Sequence, residues 1–235
     1  KDGLSCIGNP GVTRNYPHTP GIDASGEVAE SSDSRFKEGD FVIVSGYNLG
    51  MDTSGGFGQY IRVPADWIEP LPEGLTVKEA AIYGVAGFTA ALSVDALQKH
   101  GIVPEDGEVV VTGSTGGVGS VSVALLSHLG YNVVASTGKK EESEFLSEIG
   151  ASQIISREEV NDESNKPLLS ERWGGAIDSV GGNTLATLLK AVKRGGAIAA
   201  TGLVASSELS TTVFPFILRG VSLLGIDSGY TPKKL

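Results

Sequence analysis

The residues with the clearest chemical potential form one loop, Gly113-Ser114-Thr115-Gly116-Gly117-Val118-Gly119, directly after the run Val109-Val110-Val111-Thr112. Glycines this dense between a strand and a helix let a phosphate approach backbone N–H groups at the positive end of the helix dipole. A side chain at Gly116 would block a pyrophosphate, and one at Gly119 would push the helix off the strand. The strict G-x-G-x-x-G pattern is not met, because Ser114 stands at its first glycine position. The loop's place between strand and helix, with further strand–helix units behind it, carries the reading of a dinucleotide site.

A second cluster lies about 20 residues on, where a carboxylate in NAD enzymes holds the ribose hydroxyls. Here the sequence is Ser136-Thr137-Gly138-Lys139-Lys140, with no carboxylate before Glu141. A hydroxyl with cationic side chains suits the 2′-phosphate of NADP instead. The alternative is that Lys139 and Lys140 are solvated loop lysines, with Glu141 and Glu142 favouring a helix N-terminus.

The elements that must position these groups are legible in the spacing. From residue 108, short apolar runs (108–112, 132–136, 153–156, 176–180, 197–201 and 221–226) alternate with helical patterns (118–129, 141–149 and 184–192). Such alternation predicts a doubly wound α/β fold, a parallel sheet with helices on both faces. The first 75 residues read as β-rich, with strands expected at 26–30, 41–44, 58–63 and 67–71. Thr76 and Glu79 have the spacing of a capping box, and residues 80–98 read as one or two buried helices. The composition shift places a domain boundary near 75–85.

Composition narrows the function. The 235 residues include 33 glycines and 10 prolines without a Gly-X-Y period, and 40% are hydrophobic, so the glycines serve backbone geometry within a folded core. The net charge of −10 is spread along the chain, so neither half offers the basic field that nucleic acid requires. Cys6 is the single cysteine, which excludes an internal disulfide and a cysteine-based metal cluster. No apolar run approaches about 18 residues, and no signal peptide opens the chain, so the expectation is a soluble cytoplasmic protein without a membrane partner.

Four segments occur in a telling order: Pro20-Gly21-Ile22-Asp23-Ala24-Ser25-Gly26, Ala86-Gly87-Phe88-Thr89-Ala90, the 113–119 loop, and Pro215-Phe216-Ile217-Leu218-Arg219. Together they resemble the medium-chain dehydrogenase/reductase superfamily, in particular its zinc-free quinone-oxidoreductase-like branch, which includes NADPH-dependent acrylyl-CoA reductases. The resemblance spans essentially the whole chain. It implies a Rossmann doubly wound parallel sheet plus a partial GroES-like β-rich catalytic domain. The expected ranges are 81–235 for the NADP-binding domain and 1–80 for the catalytic one.

Family members start several dozen residues earlier and return to the catalytic domain at their C-terminal end. The chain opens Lys1-Asp2-Gly3 without a methionine and ends at Leu235, so the resemblance implies a piece of a longer protein. A nicotinamide-facing tyrosine and a C-terminal asparagine of the family then fall outside it. Members commonly form homodimers through the edge of the Rossmann sheet.

The resemblance also implies site residues. Zinc members carry Gly-His-Glu where this sequence has Gly21-Ile22-Asp23, and His18, His100 and His128 lie far apart, so no metal is expected. NADPH contacts fall on Thr115, Gly116, Gly117 and Val118, then on Thr137, Gly138 and Lys139. Arg157 stands where its guanidinium could share the 2′-phosphate, the alternative being a solvated loop arginine. Leu203, Ile217 and Ser228 match positions lining the nicotinamide, the alternative for the first two being core packing. Asp2 and Tyr47 are the candidate catalytic side chains, the alternatives being that Asp2 merely pairs with Lys1 and that Tyr47 simply walls the pocket. Arg14 and Arg219 are candidates for coenzyme A phosphates.

The expected reaction is hydride transfer from NADPH to an activated C=C bond of a small-molecule substrate, an enoyl-CoA such as acrylyl-CoA. The rivals are a quinone reductase and a non-catalytic NADPH-binding protein.

Overall fold

The computed structural model describes residues 1–229; the last six residues of the expected second domain lie outside this range. The chain divides into two compact units, Lys1–Val85 and Ala86–Asp227, and Ser228 and Gly229 group with the first.

The first unit holds a short helix α1 (Asp2–Cys6) and three strands, β1 (Asp23–Glu27), β2 (Phe41–Ser45) and β3 (Glu69–Pro70). They form an antiparallel sheet in the order β1-β2-β3, with Asp23 opposite Ser45 at one end. The strand expected at 58–63 does not form. No ladder hydrogen bonds join it to a described strand, and Tyr60 stands 82% exposed.

The capping box is present: Thr76 N–H donates to the Glu79 carboxylate at 2.8 Å, and Glu79 N–H donates to Thr76 Oγ1 at 3.2 Å. It opens α2 (Val77–His100). By length and composition this helix could cross a bilayer, contrary to the expectation from apolar runs alone. Small and hydroxylated residues interrupt a strict apolar run yet keep the average apolar. The backbone, however, leaves helical geometry at Gly84 (φ 47°, ψ −153°). A Cβ there would lie 2.7 Å from the Asp23 carboxylate, which accepts the Val85 N–H at 2.8 Å. Residues 77–83 are largely exposed rather than buried, while Val94 and Leu97 join the core of the second unit.

The second unit is built from β4 (Val109–Thr112), α3 (Gly117–His128), β5 (Val133–Thr137), α4 (Ser143–Glu148), β6 (Gln153–Ser156), β7 (Trp173–Asp178), α5 (Gly182–Ala191), β8 (Val192–Ala200), α6 (Phe214–Arg219) and β9 (Ser222–Gly225). The six strands are parallel, in the order β6-β5-β4-β7-β8-β9. This is the doubly wound order of dinucleotide-binding domains. Alternation along β4 divides the core: Val109 and Val111 pack into one apolar cluster with α3 residues Val123 and Leu126, and Val110 into another with α5 residues Leu188 and Leu189. Covered on both faces, β4 has every residue buried, which is why it reads as an unbroken β-branched run. The chain winds outward from β4 through β5 and from β7 through β8, so the crevice at the ends of β4 and β7 is the natural ligand position.

Candidate functional site

The loop after β4 is shaped by approaches that admit no side chain. A Cβ on Gly119 would lie 2.3 Å from Gly113 O and 2.6 Å from Ser114 Cα. Gly119 therefore lets the first turn of α3 sit on the loop. At Gly116 a Cβ would meet only Gly113 O, at 3.3 Å, so its outer side is open for a ligand. Gly116 is the N-cap of α3, no side chain caps the helix, and its first turn carries no acidic residue. This helix end can receive an anion. Ser114 ties the loop to β5, its N–H and hydroxyl donating to Ser136 O at 3.2 and 2.9 Å.

The cationic cluster assembles at the neighbouring strand ends. Thr137 pairs with Ser156 in the β5–β6 register, which brings Arg157 over Gly138. A Cβ on Gly138 would stand 3.1 Å from Arg157 Cδ and 3.2 Å from its Cζ. Thr137 Oγ1 accepts the Lys139 N–H at 3.0 Å, and the Lys139 side chain is exposed beside them. Thus Thr115 through Val118, Thr137 through Lys139, and Arg157 all stand at the carboxyl ends of β4, β5 and β6. Arg157 also pairs with Glu158 at 3.3 Å, an exposed contact of the kind that contributes little.

Leu203 and Ile217 are 64% and 68% exposed, so core packing does not account for either. Leu203 stands at the β8 end against Gly181, whereas Ile217 is carried by α6 rather than by one of these loops.

A residue that organises the loops around this site was hidden in the sequence. Asp178 ends β7 with no exposed surface. Its Oδ1 accepts from the Thr112 hydroxyl at 2.6 Å and Val180 N–H at 3.3 Å, and its Oδ2 from Gly181 N–H at 2.8 Å. Burial pushes its carboxyl up, and those three donors act in the opposite direction. The signal was present as Asp178-Ser179-Val180-Gly181-Gly182, an acid running into two glycines. Placing the strand at 176–180 set Asp178 in its middle instead of at its end.

The first unit gathers the remaining candidates. Asp2 Oδ1 accepts the N–H groups of Gly21 at 3.1 Å and Ile22 at 2.9 Å, while Lys1 reaches toward Met51 Sδ instead. Ile22 O accepts the Gly46 N–H at 3.0 Å, and Tyr47 N–H donates to Gly229 O at 3.3 Å, beside Ser228. Tyr47 has φ 54° and stacks on Trp67 with ring centroids 5.3 Å apart and planes 1° from parallel. Burial also pushes Asp23 up, against donors from Ser45 and Val85.

Arg14 is exposed, but Arg219 is already committed. Its guanidinium donates to Lys190 O at 2.8 Å and Leu169 O at 2.6 Å and pairs with Glu171, leaving the side chain 12% exposed. A role for Arg219 on coenzyme A phosphates is therefore withdrawn. Among the described residues no group of three or more His, Cys, Asp or Glu is placed to hold a metal ion.

Two family models match the chain: an alcohol dehydrogenase GroES-like domain over residues 5–73 and a zinc-binding dehydrogenase domain over residues 117–234. The residues present do not fit the zinc in the second description. The acrylyl-CoA reductase AcuI of Ruegeria pomeroyi is 52% identical over 99% of this chain and 70% of its own length. A putative quinone oxidoreductase of Bacillus subtilis, YhfP, is 53% identical over 99% of this chain and 70% of its own. The crystal structure of that Bacillus protein with NAD bound superposes with a TM-score of 0.94 over 98% of this chain and 70% of that one. The yhdH oxidoreductase of Salmonella enterica in complex with NADP, 47% identical, superposes at 0.95 over 99% of this chain and 71% of that one.

The Gly119 contact is directly testable. Overpacking of this kind costs about 1–3 kcal/mol, so Gly119→Ala is expected to lower the thermal midpoint by about 2–10 °C. An unchanged midpoint in calorimetry would contradict the packing described.

Proposed function

The chain belongs to the medium-chain dehydrogenase/reductase superfamily, and on that footing we propose that it is an NADPH-dependent reductase of activated C=C bonds, acting on an acrylyl-type enoyl thioester. The observation that carries the cofactor choice is the packing of Arg157 over Gly138 beside Lys139. Lys139 and the Thr137 hydroxyl at the end of β5, with Arg157 from the end of β6, match a 2′-phosphate, and β5 itself ends without the carboxylate that would bind bare ribose hydroxyls.

In this reading Thr115 through Val118 and the N-terminus of α3 take the pyrophosphate. Thr137, Gly138, Lys139 and Arg157 take the 2′-phosphate, and Leu203, Ile217 and Ser228 line the nicotinamide. The bound dinucleotide supplies a hydride to the β-carbon of the substrate. The negative charge that then develops on the thioester oxygen needs a hydrogen-bond donor, and a water or hydroxyl must protonate the α-carbon. The Tyr47 phenol, braced by Trp67, is assigned the donor role. Asp2 is assigned a positioning role, since its carboxylate holds the Gly21–Ile22 turn next to Gly46 and Tyr47. No covalent nucleophile is needed. The setting is cytoplasmic.

A quinone reductase using the same hydride site is the second reading, favoured by the name of the Bacillus relative. Fluorescence titration with NADPH, followed by NADPH consumption with acrylyl-CoA and with a quinone, separates the readings. Acrylyl-CoA is expected to be the better substrate. NADPH binding without turnover of either compound by the whole protein would overturn both enzyme readings. Charge-assisted hydrogen bonds of about 1.5–3 kcal/mol imply that Lys139→Ala or Arg157→Ala lowers the NADPH-over-NADH preference about 10- to 100-fold. An unchanged ratio removes the 2′-phosphate assignment.

We further propose a homodimer through β9. It ends the sheet order, and Leu223 on it is 36% exposed, with Phe214 and Leu218 exposed on the preceding helix. Light scattering is expected to give twice the chain mass, reduced by Leu223→Lys; a single-chain mass for the wild type would refute the dimer.

A further inference from the structure

Asp178 touches none of the surfaces assigned to the cofactor, yet it joins the phosphate loop after β4 to the loops after β7 and β8, the last of which carries Leu203. On one side its carboxylate takes the Thr112 hydroxyl, the last side chain before the phosphate loop, at 2.6 Å. That hydroxyl in turn accepts the Ser179 N–H at 3.2 Å, and the Ser179 hydroxyl donates to Thr112 O at 3.1 Å. Donors and acceptors match throughout: the Thr112 hydroxyl gives one proton and receives one, as a hydroxyl can. The Ser179 oxygen also stands where a Cβ on Gly113 would be, 2.5 Å away, so the start of the phosphate loop is set by this serine.

On the other side, Oδ2 of Asp178 takes the Gly181 N–H at 2.8 Å and curls residues 178–182 into α5. Its main-chain carbonyl accepts from Thr201 N–H at 2.8 Å, and Ala205 N–H donates to Val180 O at 2.9 Å. Gly202 packs so closely on Ser179 O that a Cβ would come within 2.4 Å. The segment with Leu203 is thereby fastened to the same residues. A carboxyl with no exposed surface is costly to bury, and here three hydrogen-bond donors offset that cost.

We propose that Asp178 is a positioning residue for dinucleotide binding: through Thr112 and Ser179 it fixes the phosphate loop against the 202–206 segment. This rests on the dinucleotide reading above and goes beyond it, because Asp178 acts only through other residues. The carboxylate accepts three hydrogen bonds with two oxygens. Asparagine keeps the shape but turns one acceptor into a donor, facing either Gly181 N–H or Val180 N–H.

The test uses the whole protein, with NADPH as the probe in fluorescence titration and in steady-state kinetics. Wild type, Asp178→Asn, Thr112→Val, Thr112→Ser and the Asp178→Asn/Thr112→Val double variant are compared. Failure of the wild type to bind NADPH would remove the dinucleotide reading itself. With wild-type binding established, Asp178→Asn is expected to raise the NADPH Kd and KM about tenfold or more, with kcat at saturating NADPH within about threefold. Thr112→Val should raise the Kd in the same direction, Thr112→Ser should restore it, and the double variant should bind no worse than Asp178→Asn alone, as expected of two residues in one linkage. If Asp178→Asn fails to fold, the Thr112 pair decides the matter. An NADPH Kd within twofold of wild type for folded Asp178→Asn, or for Thr112→Val, would overturn the proposal. So would strictly additive effects, or a loss confined to kcat.

Discussion

In a parallel sheet every strand delivers its chain to the same side, so consecutive loops compete for the space above the carboxyl ends. At β4 and β7 that competition is resolved by contacts closer than any side chain allows. Gly113 lies against the Ser179 hydroxyl, Gly119 against Gly113 O, and Gly202 against Ser179 O. Hydrogen bonding then makes the crowding specific, because the buried Asp178 carboxylate takes Thr112 from one strand end and Gly181 from the next. The surfaces assigned to the dinucleotide depend on this arrangement. With the loop so placed, the α3 N-terminus faces outward without a side-chain cap, and the open side of Gly116 is left for an anion.

Selectivity between dinucleotides is assigned one strand further out, and it uses a different physical device. The β5–β6 pairing sets Thr137 opposite Ser156, so the residue after each strand meets its counterpart. Glycine at 138 leaves room for the Arg157 side chain to cross it, and Lys139 adds a second charge from a loop braced by Thr137 Oγ1. Overall charge does not assist: with a net −10, the proposed 2′-phosphate site would rely on local geometry and not on a long-range field. In the first unit, the Asp2 carboxylate takes the Gly21 and Ile22 N–H groups and Ile22 O takes the Gly46 N–H, next to Tyr47 and its stacked partner Trp67.

Much of this was legible where local chemistry determines the outcome. The strand at Gln153–Ser156 forms as its β-branched run indicates, and the Thr76–Glu79 box caps α2 as spaced. The fold class followed from alternation of apolar strands with helices. What local patterning did not carry depends on neighbours far away in sequence. Residues 58–63 have strand-like composition but form no ladder with a described strand. The break in α2 at Gly84 is explained by the Asp23 carboxylate, 61 positions earlier. Arg219, a sequence candidate for coenzyme A phosphates, is instead folded onto the carbonyls of Leu169 and Lys190. Asp178 was obscured by a two-residue displacement of a strand boundary, enough to turn a loop organiser into an apparent mid-strand residue.

The central claim is that one phosphate loop and one cationic strand end together bind NADPH. Amide hydrogen exchange of the whole protein, alone and with saturating NADPH or NADH, tests it most directly. The account predicts slowed exchange at residues 116–118 with either dinucleotide, and slowed exchange at 138 and 139 with NADPH only. Unchanged exchange at 116–118, or equal protection of 138 and 139 by both dinucleotides, would contradict it.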